Sequence, residues 1–141
     1  MVKPQSTAAA TGRTVSELMT EPGAVVERSA HLAAAAYLMR HAHRPALIVV
    51  EDEASRTPVG TITAFDIVRA VSHARDPSEE TVGAWESPNA TVVHPGTPLR
   101  EALDLMLDQT PHLPVVDDDN KLVGVIDLIR VARALRSLLE D

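Results

Sequence analysis

Gly60, Thr63 and Asp66, within Gly60–Thr61–Ile62–Thr63–Ala64–Phe65–Asp66, have the types and spacing to hold a small polar ligand. The run reads as the end of an apolar strand turning into a helix that starts near Ala64. A glycine removes side-chain bulk where another backbone or a ligand comes close. Thr63 falls at the helix start, where a hydroxyl and free backbone N–H groups can meet an anionic oxygen. Asp66 lies one turn on, and a carboxylate, which only accepts hydrogen bonds, suits a pair of sugar hydroxyls. A second reading stays open on spacing alone: Thr63 as an ordinary N-cap, and Asp66 as a first-turn acid complementing the helix dipole.

Other residue groupings carry less chemistry. His41 and His43 flank a helix end, but no further histidine, cysteine or acid stands at metal-ligand spacing, so no metal site is expected. Ser72–His73 are sequence neighbours rather than a nucleophile with an oriented base, and no catalyst is expected from them. Asp117–Asp118–Asp119–Asn120 lacks calcium-loop spacing and reads as a solvated hairpin turn before Lys121.

The elements that must position these residues follow from periodicity. Met1–Arg13 has none and reads as a disordered tail. Thr14–Val15–Ser16–Glu17 has capping-box form, so a helical turn starts there, and Pro22–Gly23 ends it. Ala24–Glu27 is a short strand; Ser29 is expected to cap a helix over about 30–41, with Leu32, Ala35, Ala36 and Met39 inward. Ala46–Val50 is a continuous apolar run, the pattern of a strand buried on both faces. Pro58–Thr63 is the next strand, followed by a helix over about 64–74 with Ile67, Val68 and Val71 inward. Residues 75–80 form a linker.

The order then begins again. Thr14–Val15, Val25–Val26, Leu32 and Met39 each recur 67 positions later, as Thr81–Val82, Val92–Val93, Leu99 and Met106. Leu113–Asp117 echoes Leu47–Glu51 at 66 positions, and Val123–Gly124 echoes Val59–Gly60 at 64. An ordered series with small drift is the signature of internal duplication. Each copy reads turn, strand, helix, strand, strand, helix. A half of this size hardly buries its own sheet, so the copies are expected to pack through their strands.

Composition narrows the partners. With 45% hydrophobic and 23% charged residues the 141-residue chain should form a packed core, as one domain or as two small ones. Aromatics are 2%, namely Tyr37, Phe65 and Trp85, which leaves no platform for stacked bases. The net charge of −7 also disfavours nucleic acid, although Arg130, Arg133 and Arg136 recur along one helix. Cysteine is absent, excluding disulfides and thiolate chemistry and fitting a cytoplasmic setting. No stretch reaches bilayer-crossing length, so a soluble, intracellular protein is expected.

From Thr14 to Leu139 the pattern resembles a tandem pair of CBS domains, the modules named after cystathionine β-synthase. The likeness rests on Thr-Val-Ser-Glu-Leu-Met-Thr at the start, Leu113–Pro114–Val115–Val116–Asp117 before a turn, and Gly60-x-x-Thr63-x-x-Asp66. It implies an α+β fold of two β-α-β-β-α repeats (14–76 and 77–141) packed through their sheets about a pseudo-twofold axis. It further implies a regulatory module without catalysis, needing no cofactor. Adenosyl ligands (AMP, ADP, ATP or S-adenosylmethionine) would bind in an inter-repeat cleft, with Thr63 reaching phosphate or ribose and Asp66 gripping the ribose hydroxyls. Two readings stay open for the further candidates: Val25, Val26 and Ile62 as an aliphatic adenine slot or as plain core, and His112 as a contact to a phosphate or base or as a surface-loop histidine.

The second copy departs from the pattern. In Gly124–Val125–Ile126–Asp127–Leu128–Ile129–Arg130, Asp127 replaces the hydroxyl and Arg130 the acid, so no nucleotide is expected to bind there in the family manner. Arg130 either reaches phosphates held at the first site or pairs with Asp127 or another acid on its own helix face. Homodimerisation and a regulated protein partner are implied. Leu103, Met106 and Leu107, or Leu128, Val131 and Leu135, are the dimer faces considered. The alternative is an unliganded interaction scaffold with degenerate clefts.

Overall fold

The computed structural model describes residues 13–88 and 91–140, so the tail expected over 1–13 falls outside the described residues except for Arg13. The fold is mixed α+β, and two compact units divide the chain. One takes in the described residues between Pro22 and Pro88 with Asn120–Leu122; the other takes in those up to Glu21, Thr91–Asp119 and Val123 onward.

The first-repeat unit holds a four-stranded sheet in the order β1-β2-β3-β4. Its strands are β1 (Val25–Glu27), β2 (Ala46–Val50), β3 (Pro58–Thr63) and β4 (Ser87–Pro88). β2 runs parallel to β1 with Val26 opposite Val49, and antiparallel to β3 with Leu47 opposite Ile62 and Val49 opposite Gly60. A strand paired on both edges needs apolar residues on both faces, and Leu47 to Val50 are all buried. Helices α1 (Leu32–Ala42) and α2 (Ala64–Ser72) complete the unit, with the short α3 (Val82–Trp85) leading into β4. Its core gathers Val26, Leu32, Ala35, Met39, Leu47, Val49, Ile62, Ala70 and Val82.

Two details depart from expectation. The N-cap of α1 is His31 rather than Ser29, and its side chain makes no capping bond. Backbone carbonyls do that work: Leu32 and Ala33 N–H groups donate to Glu80 and Pro77 at 2.9 and 3.0 Å. In α2 only Ile67 of the three expected inward residues packs on the core, whereas Val68 and Val71 are 62% and 53% exposed. Asp66 and Ala70 take the inward face instead.

The other unit pairs β5 (His112–Val116) with β6 (Leu122–Asp127), and adds α4 (Leu99–Asp108) and α5 (Leu128–Glu140). The strand expected at Val92–Val93 is reduced to one parallel bridge, Val93 to Val115. Met106 and Val131 are 3% and 0% exposed in this core, with Leu103, Leu128 and Leu135 packed against it. The two apolar faces considered for dimerisation are thus largely used inside the unit; Leu107 alone stays well exposed, at 65%.

The segments leading into the repeats are crossed. The turn Val15–Glu17 precedes the first repeat, yet Val15 is fully buried in the core of the second-repeat unit. Thr20 exchanges two 2.9 Å backbone hydrogen bonds with Val125 of β6. Thr81–Pro88 does the same for the first-repeat unit: Val82 N–H reaches Ala30 at 2.8 Å, and Ser87 pairs with Thr61 of β3.

Candidate functional site

Thr63 ends β3 in extended conformation and caps α2. Its hydroxyl accepts the Asp66 N–H at 3.1 Å, while Asp66 Oδ2 accepts the Thr63 N–H at 2.8 Å and the Thr63 hydroxyl at 2.9 Å. The capping reading of this pair is what the structure shows, and the reciprocal box holds the carboxylate in one orientation. Asp66 is 6% exposed, the only charged residue among those described that is buried as a whole, backbone included. A buried carboxylate needs its acceptor sites filled, and Arg69, one turn on, supplies the remaining contact. Its Nη2 lies 3.1 Å from Asp66 Oδ1 and 3.4 Å from the Trp85 carbonyl oxygen, with the guanidinium 4.9 Å from the Trp85 ring centroid. Trp85 in turn donates its indole N–H to Glu80 at 2.8 Å.

Sequence reasoning missed Arg69 and Trp85. Arg69 was findable from its i,i+3 spacing to Asp66. Trp85 lies 16 residues beyond Arg69, brought near by pairing of the lead-in segment along β3, which no local pattern reveals.

Gly60 lies beside that lead-in. A Cβ there would fall on the Ser87 carbonyl oxygen and come within 2.6 Å of Glu86 Oε1. The close approach is therefore by backbone. Glu86 has a side chain 3% exposed; its Oε2 meets Arg28 at 3.3 Å, and its Oε1 is buried without a hydrogen-bond partner. Burial pushes its pKa above the ordinary 4.5, opposed by the Arg28 charge and helped by Glu51.

The second repeat replaces each part of the Thr63–Asp66 arrangement. Asp127, just before α5, accepts the Arg130 N–H at 2.8 Å through Oδ1, so it does the helix-capping work of Thr63. The Arg130 guanidinium does not pair with Asp127; its Nε donates to the Leu18 carbonyl at 2.9 Å. Leu18 is the 67-residue echo of Trp85, so an arginine reaches the corresponding carbonyl in both units from a different helix position. Arg130 thus fills the place of Asp66 with the opposite charge and no acceptor.

The remaining candidates fall in both units. Val26 and Ile62 are 4% and 0% exposed within the first-repeat core. His112 is exposed at the start of β5 and belongs, with Arg130, to the other unit. The Ser72 hydroxyl donates to the Arg69 carbonyl at 2.7 Å, and His73 Nδ1 lies 2.8 Å from the same oxygen, so the two side chains share an acceptor without activating one another. His43 adopts φ 55° as the C-cap of α1, and His41 packs against Tyr37 at 4.1 Å between ring centroids. Among the described residues no three His, Cys, Asp or Glu side chains converge as metal ligands. Among them, too, no helix is long and apolar enough to cross a membrane.

Two repeats of this form, each closed by the other's lead-in, define the CBS-pair architecture, and the chain belongs to the CBS domain family: the family model matches residues 15–73 and 82–137. It is 33% identical over 122 residues to an uncharacterized 17.7 kDa protein of Acidianus ambivalens, covering 86% of this chain and 72% of that protein. Among solved structures it resembles the CBS-pair protein CBSX2 of Arabidopsis thaliana, with TM-score 0.78 and 27% identity over 92% of this chain and 98% of that one. CBSX2 in complex with AMP matches with TM-score 0.74 and 29% identity, covering 91% and 99% of the two chains.

Proposed function

We propose that this protein is a non-catalytic regulatory CBS pair that takes up an adenosyl ligand at the first repeat, with Thr63 and Asp66 as the polar anchors. The observation that carries the reading is the preassembled pair itself: Thr63 fixes one edge of the Asp66 carboxylate through two hydrogen bonds and leaves the other edge to an exchangeable partner. The AMP complex of the similar CBSX2 supports the ligand class. Asp127 and Arg130 leave the second repeat without a hydroxyl or acid at the matching positions, so one site per chain is proposed. Val26 and Ile62 would stiffen the apolar floor, with His112 as a further contact. A homodimer in the cytoplasm, acting on a protein partner, completes the proposal. Signalling then requires the ligand to bind one conformation better than another.

Thermal unfolding with AMP, ADP, ATP and S-adenosylmethionine tests it. A ligand at ~100 times its Kd stabilises by about 2.7 kcal/mol, a shift of several degrees. At least one compound should give such a shift, and Asp66→Ala should abolish the ligand-induced part. No shift across the panel favours an unliganded scaffold.

A further inference from the structure

We propose that Arg69 is a latch on the ligand-binding acid, occupying the Asp66 oxygen that a ribose diol would take; this rests on the function proposed above. Asp66 offers two oxygens, each with two acceptor positions. Both positions on Oδ2 go to Thr63, through bonds that belong to the cap of α2 and persist as long as the helix does. Oδ1 faces Arg69 Nη2 at 3.1 Å. A vicinal diol needs two acceptor positions, so it seats on Oδ1 only after the guanidinium has moved. The carboxylate side chain is 9% exposed, and in that setting an unpaired charge is costly. Latch and ligand therefore exchange, one leaving as the other arrives.

The arginine is built to leave. Its side chain is 42% exposed, so it can rotate into solvent without opening the core. Its other contacts are a 3.4 Å bond to the Trp85 carbonyl and the face of the Trp85 ring at 4.9 Å. Because Trp85 is the chain's single tryptophan, departure of the guanidinium is visible in its emission.

Adenosine is the discriminating probe because it carries the diol and no charge. Titration calorimetry should show Arg69→Met binding adenosine about two- to fivefold more tightly than the wild type, the factor that corresponds to an ion pair of this exposure. Arg69→Lys, which keeps the charge and guards against a folding defect in the first variant, should stay near the wild type. Raising salt from 0.05 to 0.5 M weakens the latch, so wild-type affinity for adenosine should rise while that of Arg69→Met stays flat. Trp85 emission should change on binding in the wild type and not in Arg69→Met. Equal or weaker adenosine binding by Arg69→Met overturns the latch alone. So does a loss of AMP affinity greater than that of adenosine, which would make Arg69 a phosphate contact. Absence of adenosine and AMP binding in both proteins overturns the latch; the proposed function falls with it when ADP, ATP and S-adenosylmethionine fail to bind as well.

Discussion

Glu86 and Asp66 are two acids of the first-repeat unit with opposite fates. Asp66 is buried with its oxygens engaged, whereas Glu86 is buried with one oxygen paired to Arg28 and the other unpartnered. Burial raises the Glu86 pKa above 4.5, the nearby Glu51 adds to that, and Arg28 only partly offsets it. A folded-state value above the unfolded one means that the contribution to stability is complete below pH 4.5 and is lost as pH rises through the folded value. Glu86→Gln removes the ionisation. Its stability relative to the wild type, from urea midpoints, should therefore be more favourable at pH 7 than at pH 4. The reverse order would mean that the Arg28 pair outweighs burial.

At the scale of elements, β3 and the lead-in β4 approach so closely that position 60 has no room for a methyl group. Gly60→Ala should cost about 1–3 kcal/mol through forced displacement of Ser87 and Glu86. Gly96→Ala is the control: open space surrounds the position and its φ is not positive, so the change should be neutral or stabilising by about 0.4–1 kcal/mol. Chemical denaturation of the two variants measures the contrast. Strands β2 and β3 were legible to the residue in the sequence, because apolar runs bounded by turn residues leave little choice of span. The phase of α2 was not. Its capping box tucks Asp66 under the first turn, which brings Ala70 inward and carries Phe65, Val68 and Val71 out, whatever their hydrophobicity. Hydrophobic spacing alone assigned Val68 and Val71 to the core because it had no term for a buried acid setting the rotation.

For the whole molecule, the repeat was visible as an echo, but an echo cannot say which copy a segment folds with. Val15 lies in the numbering of the first repeat and in the core of the second-repeat unit. Val15→Ala should cost about 1–3 kcal/mol of that core. Hydrogen exchange should quicken at amides of the second-repeat unit, such as Val116 and Val125, while Val49 and Ile62 keep their protection. Faster exchange at Val49 and Ile62 alone would refute the crossed lead-ins. The candidate site divided in the same way: the Thr63–Asp66 cap was readable because capping is local, whereas Arg69 gained its second partner from a segment only the fold brings near.

The crossed lead-in also constrains how the chain emerges during synthesis. Residues 14–20 leave the ribosome long before the backbone partner of Thr20, Val125, which follows more than 100 residues later. This lead-in must therefore wait, its edge unpaired, until β6 has been made, and can seal the second-repeat unit only after that.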